Sequence, residues 1–315
     1  MGRILIKRIM LGLITMWIVS IMVFTTTEIL PGDVASAIMG KSATPEALQS
    51  IRTELGLDQP ALVRYGGWLM DIFSGDLGNS LATGRKITEL IGERLGNTIV
   101  LAVATALFAV PLSIFLGLFA AMFPGSFFDR GVSTGTLCLV SVPEFFIASV
   151  LVLIFSISLN WLPAISQISL NAPFLKLVRS LALPVMTLTA AIMAHMARMT
   201  RTSVLNVVSS PYIEMAILKG VPRRTIIVRH AFPNALSPIF NVVALNLAYL
   251  ISGVVIVETM FAYPGIARLM VDAVTNRDIP LVQACAMLFC GTYVGLNMLA
   301  DLLSTIFNPR LRYPK

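Results

Sequence analysis

The sequence predicts an all-α membrane protein of six spanning helices with both termini in the cytoplasm, and three observations carry that expectation. Hydrophobic residues make up 57% of the 315 and charged residues 12%, about half the charged share of a soluble domain. Too few polar groups remain to cover a water-facing surface, so lipid must be the solvent. Six stretches are apolar enough to span, at about 9–30, 97–123, 134–159, 181–199, 235–257 and 280–307, each near or above the roughly 20 residues a bilayer requires. Basic residues bracket them in the sense of the positive-inside bias. Arg3, Lys7 and Arg8 precede the first stretch, Arg130 follows the second, and Arg310, Arg312 and Lys315 follow the last. Arg198, Arg201, Lys219, Arg223, Arg224 and Arg229 fall around the connection between the fourth and fifth. The net charge of +7 therefore reads as a topology signal, and no nucleic-acid partner is expected.

The first stretch is not expected to be a cleaved leader. Ala35-Ser36-Ala37 offers a small-residue site, but Pro31-Gly32-Asp33 intervenes and the apolar region exceeds the usual 7–15 residues. Residues 31–96 alternate Pro/Gly/Asp turns with amphipathic pieces at 45–55 and 60–73, the pattern of an ordered external cap. Three parts are expected: 1–96, the first helix and this loop; 97–309, a five-helix core; and 310–315, a basic tail. Pro143 should kink the third span. Gly117 with Ala121, and Gly291 with Gly295, are small-xxx-small faces that permit close helix crossing.

Within the core, residues 209–233 read as a cytoplasmic loop built around one short, doubly capped helix. Ser210 can cap it, Pro211 takes the first helical position, Gly220 can take the left-handed stop, and Pro222 forbids continuation. From Pro211 to Lys219 such a helix is roughly 13 Å long, too short to cross a bilayer. Both caps together imply a rigid surface offered to something in the cytoplasm.

Glu214-Met215-Ala216, three residues, then Gly220 resembles the EAA loop of binding-protein-dependent ABC importer permeases, with Met215 in place of the usual Ala. The likeness extends along the chain through Leu30-Pro31-Gly32-Asp33, Leu55 to Pro60, Gly75-Asp76-Leu77-Gly78 with Ser80, Arg229-His230-Ala231 with Asn234-Ala235-Leu236, and Glu258-Thr259 with Pro264-Gly265. With the tail Asp301 to Tyr313, where Asn308 replaces a more usual Asp, these motifs resemble the dipeptide/oligopeptide/nickel subfamily. The resemblance implies a six-helix type I ABC importer transmembrane domain in the bacterial inner membrane. It also implies a second homologous permease subunit, two ABC ATPase subunits beneath the pair, and an extracytoplasmic solute-binding protein. ATP and Mg2+ would then be bound by the ATPases and not by this chain. The expected ATPase-coupling residues are Ile213, Glu214, Ala216, Ile217, Gly220, Arg223 and Arg224, with Ile213, Ala216 and Ile217 as the packed face.

No catalytic residue, metal ligand set or resident cofactor is expected. Gly40-Lys41-Ser42 imitates the end of a phosphate-binding loop, but the earlier glycine would have to stand at Ala35. Cys138, Cys285 and Cys290 lie in apolar stretches and read as packing residues. Gly131-Val132-Ser133-Thr134-Gly135 fits the nucleophile pattern of serine hydrolases, with His195 in another span, but that elbow needs a strand-to-helix turn. Charges inside spans face protein or a water-filled cavity and are functional candidates. Glu144, His195 and Glu258 are the pathway candidates, and Asp301 is expected to pair with Arg198, Arg310 or Arg312. A secondary transporter or channel remains the alternative reading, with an intramembrane hydrolase behind it. The solute stays open among dipeptides, longer peptides, glutathione-like molecules, nickel chelates and opine-type conjugates.

Overall fold

A computed structural model describes residues 2–29, 58–166, 173–252 and 254–307, together with Thr44, Glu46, Gln49 and Thr53. The Leu30–Asp33 motif, Gly40-Lys41-Ser42, most of the piece expected at 45–55 and the basic tail lie outside them. Among the described residues the backbone is helical, and the one pairing of strand type is an isolated bridge between Asn79 and Lys86.

The long helices are α1 (Gly2–Ile29), α3 (Ile87–Met122), α6 (Phe174–Val208), α8 (Phe232–Ser252) and α11 (Ile279–Phe307). Shorter ones are α2 (Ala61–Ser74), α4 (Phe127–Ser141), α5 (Glu144–Leu151), α7 (Pro211–Leu218), α9 (Val255–Met260) and α10 (Ile266–Thr275). Arg223–Thr225 and a π-helical turn, Ile226–Ala231, lead into α8. Among the described residues five stretches are long and apolar enough to cross a membrane.

The sixth crossing is broken. Val142 is extended between α4 and α5 (φ −93°, ψ 127°), and the two axes diverge by 102°. Pro143 explains the break, because it removes a backbone donor and drives the preceding residue out of the helical region. A kink at Pro143 within a span over 134–159 was expected, and the break is far sharper than a kink.

Helix directions show that this broken pair is one crossing. Ser113 on α3 hydrogen-bonds Met193 O on α6 at 3.4 Å, and one turn further along both helices Gly117 lies against Ala197 and Thr200. Hence α3 and α6 run parallel, and the chain between them must return across the bilayer. By contrast α1 and α11 are antiparallel: Arg8 pairs with Asp301 at 2.9 Å, and Gln283 donates to Thr27 at 2.7 Å. Residues 8 and 301 therefore share one face, the near side, and residues 27 and 283 mark the far side.

Three apolar layers connect the two faces. At the far side Ile87, Leu90, Ile91, Ile266, Leu269, Leu281 and Cys285 join α3, α10 and α11. In the middle Leu101, Ala109, Ala148, Leu183, Leu188, Val242, Val257 and Tyr263 join α3, α5, α6, α8 and α9. On the near side Ala121, Val204, Ile227, Ala231, Ala235 and Ile239 bind the ends of α3 and α6 to the start of α8.

Candidate functional sites

The short near-side helix α7 stops as its sequence demands. Gly220 takes φ +75°, and Val221 N–H donates to Ala216 O at 3.1 Å while Gly220 N–H donates to Ile217 O at 2.9 Å, the pair of bonds of a Schellman stop. Its start differs from expectation. The Ser210 hydroxyl donates backward to Val207 O at 2.5 Å and makes no cap bond to α7, so Pro211 alone prepares the first turn. Ile213 is completely buried where α7 sits on the π-turn and the end of α6. Of the three residues expected to form a docking face, Ile213 thus packs inward, Ala216 is half-buried, and Ile217 is exposed. The opposite side of the helix presents Met215 and Leu218, 56% and 76% exposed, one turn apart with Glu214 beside them. Arg223 and Arg224 lie exposed just beyond the stop.

At the far side the acids are enclosed. Glu258 is fully buried and accepts from the Thr98 hydroxyl at 2.9 Å and from Arg268 N–H at 3.0 Å. Its carboxylate therefore caps the first turn of α10, where free N–H groups favour a negative partner. Asn97 donates to Pro264 O at 2.9 Å, the Tyr263 hydroxyl to Asn97 O at 2.5 Å, and Ile266 N–H to Thr98 Oγ1 at 2.9 Å. A side chain at Gly265 would collide with the Glu258 carboxylate, so the glycine is what lets the acid approach. Asp278 does the same for α11 and for the loop that precedes α3. It accepts from the Ser80 hydroxyl, from Leu81 N–H at 3.1 Å, from Ala82 N–H at 3.4 Å and from Leu281 N–H at 3.4 Å.

Glu144 begins α5 at the break. Its Oε2 accepts from the Tyr249 hydroxyl of α8 at 2.8 Å, while Oε1 is buried with no hydrogen-bond partner among the described residues. His195 is exposed on α6. The three pathway candidates thus do not gather: Glu258 is locked in the far layer, Glu144 is held by Tyr249, and His195 stands apart. On the near side Arg201 of α6 makes a two-pronged ion pair with Asp129 of α4, at 2.5 and 2.8 Å. Ser133 lies inside the continuous helix α4, without the strand-to-helix turn a nucleophile elbow uses.

Residues 113–313 match the model of the binding-protein-dependent transport system inner membrane component. The chain belongs to that family. Residues 1–102 match the corresponding N-terminal membrane component. A protein of Brucella abortus (strain 2308), provisionally named a peptide transport system permease, is 40% identical over 314 residues, covering 99% of this chain and all of that one. A similarly named peptide ABC transporter permease of Sinorhizobium fredii is 38% identical over 313 residues, 99% of this chain and 100% of its own. The glutathione transport system permease GsiC of Salmonella choleraesuis is 35% identical over 309 residues, 98% of each chain. The permease is a multi-pass protein of the bacterial cytoplasmic membrane and a subunit of an ABC importer.

Several functional contacts of the permease escaped the sequence reading. Among the described residues Asp301 pairs with Arg8, a partner the sequence did not suggest, because α1 and α11 lie antiparallel, a relation no local pattern states; Arg310 and Arg312 lie outside them. Ser126 accepts from Asp129 N–H at 3.2 Å and Asp129 accepts from Gly125 N–H at 2.8 Å, a reciprocal cap whose Ser-x-x-Asp spacing was readable. Asp278, standing just before a long apolar run, carried the same kind of signal. Tyr249 as partner of Glu144 carried none.

Proposed function

We propose that this permease carries peptides or related small solutes across the cytoplasmic membrane as one of two homologous transmembrane subunits. Two ABC ATPase subunits, which hold ATP and Mg2+, dock beneath the pair, and an extracytoplasmic binding protein delivers the solute. The near side is the cytoplasmic side. The names of relatives that match end to end support the solute class, and the positive-inside charge distribution supports the orientation.

One observation carries the coupling role: α7 is a rigid, Schellman-stopped helix held by a buried Ile213, with Met215 and Leu218 left bare on its other side. An apolar helix face of this size fits a groove in a partner. Glu214, Ala216 and Ile217 border it, Gly220 fixes its end, and Arg223 and Arg224 supply charge for acids on the ATPase. Within the core of residues 97–309, ATP-driven closure displaces α7 and with it α6 and α8, exchanging inward for outward access. This is a shift between two states of the assembly and not chemistry in this chain. Glu144, with one unpaired oxygen at the break, meets a cationic group of the passing solute.

The test is to tag the C-terminus, purify the chain from native membranes in mild detergent, and identify what comes with it. A second permease and ABC ATPases are expected with the wild type. Met215→Asp with Leu218→Asp should retain the second permease and lose the ATPases. A wild-type chain that purifies alone, or an ATPase that stays bound to the double variant, overturns the docking role.

A further inference from the structure

We propose that α2 is an interfacial helix embedded in the far leaflet of the bilayer, with lipid acyl chains as its occupant. The segment between the first two crossings would otherwise be water-exposed, and its orientation on the bilayer would be free. Tyr65 and Trp68, one turn apart, lie against α1. The Tyr65 hydroxyl lies 2.8 Å from Ser20 Oγ, and the Phe24 ring contacts Tyr65 and Trp68 at centroid distances of 5.4 and 5.9 Å. Ser20 and Phe24 stand inside the spanning stretch Ile6–Ile29. At 1.5 Å per residue they lie roughly 12 and 6 Å inward of Glu28 along α1. Glu28 pairs with Arg64 of α2, which marks the polar boundary. The body of α2 is thereby held at the depth where headgroups give way to acyl chains.

At that depth α2 leaves a continuous apolar arc bare. Leu62, Val63, Met70 and Phe73 fall on one side, 84%, 57%, 75% and 81% exposed. Ser74, Gly67, Asp71 and Arg64 follow on the adjoining flank, the face left for water. The crossing beside α2 also exposes apolar side chains along this depth, Ile18 and Met22 being 48% and 62% exposed on α1. A helix apolar on one side, polar on the other and bearing Tyr and Trp at the boundary lies in the interface plane. Four large apolar side chains together at the rim of a crossing have acyl chains as their nearest apolar medium. The embedded helix then anchors the loop that follows it, the loop Asp278 fastens to the far-side core.

The test uses the full-length chain with its bound subunits in nanodiscs of phosphatidylethanolamine and phosphatidylglycerol. Spin labels are placed by Met70→Cys, Phe73→Cys and Asp71→Cys, with Cys138→Ala, Cys285→Ala and Cys290→Ala in each. Collision with oxygen should exceed collision with a water-soluble nickel chelate several-fold at 70 and 73, and the order should reverse at 71. Equal access of the chelate at all three positions overturns the proposal in favour of a water-facing helix. Protection from both reagents at 70 and 73 overturns it in favour of a covering protein, the binding protein or second permease. A second readout leaves the native cysteines in place: Met70→Trp should be quenched by lipids brominated along the acyl chain. Absence of added quenching in that variant counts against embedding. Neither readout depends on transport, so failure here is separable from failure of the importer reading.

Discussion

The far and near ends of the permease solve opposite problems with similar residues. At the far end Glu258, Asp278, Asn97, Thr98 and Tyr263 are all buried or nearly so and bond one another or the starts of α10 and α11. At the near end α7 spends a single buried side chain, Ile213, on its own chain and leaves Met215 and Leu218 bare. Buried polar groups are costly unless paired, and bare apolar helix faces are costly unless covered. The buried polar groups of the far end are therefore satisfied within one chain, whereas the bare face of α7 is left for the partner proposed above. A charged residue in this molecule is informative less by its position in a span than by whether its own chain satisfies it.

The comparison breaks most visibly at Glu258. Glu258→Leu strips partners from the Thr98 hydroxyl and Arg268 N–H inside an apolar layer. At about 1–3 kcal/mol for each group left unsatisfied, the expected loss is roughly 2–6 kcal/mol, read from chemical unfolding of the purified protein in detergent. An unchanged midpoint would mean that α10 holds its place without this cap, and that Glu258 is free for the pathway role its sequence position invited.

Gly117→Val tests the near half of the packing between α3 and α6. A Cβ there would stand 2.6 Å from Ala197 O and equally close to Thr200 Cβ, and backbone cannot yield as a flexible side chain does. Overpacking of this kind costs about 1–3 kcal/mol. The expected result is a lower unfolding midpoint with retained membrane insertion. Full stability would show that the two helices separate without penalty, contrary to a rigid unit that carries α7.

Much of this was legible beforehand. Six crossings, their approximate limits and the short helix that starts at Pro211 and stops at Gly220 follow from hydrophobic length and the Pro211–Gly220 punctuation. What the sequence hid is relational. Pro143 announced a kink but not a 102° break, since the angle depends on where α5 finds packing. Ile213 and Ile217 look equivalent as isoleucines in a short helix, and only the π-turn beneath decides that one is buried and the other bare. Glu144 and Glu258 are both acids within or bordering apolar stretches. Their fates separated because Glu258 meets a helix start with free N–H groups, while Glu144 meets one tyrosine.

Gly220→Val sharpens the contrast from the near side. A β-branched residue held at φ +75° is strained by about 1–2 kcal/mol, a cost that falls on an exposed stop and not on a buried layer. Protein level and the unfolding midpoint should hardly move, while solute-stimulated ATPase activity of the assembly falls sharply. Wild-type coupling in this variant would show that the rigid end of α7 is dispensable.

The smallest structural effect, and the most selective functional one, is expected at Glu144. Gln has the same shape, its carbonyl oxygen still accepts from Tyr249, and the residue is only partly enclosed. Glu144→Gln should therefore leave the fold and the co-purified subunits unchanged, within about 0.5 kcal/mol in stability. What it removes is the charge on an acid whose second oxygen has no partner in its own chain. If that oxygen meets a cationic group of the solute, a charge-assisted bond of about 1.5–3 kcal/mol is weakened, and half-saturating solute in an uptake assay should rise about tenfold or more. Uptake that follows the wild-type curve would place Glu144 with Glu258, as an acid engaged only by its own chain and touching nothing that passes.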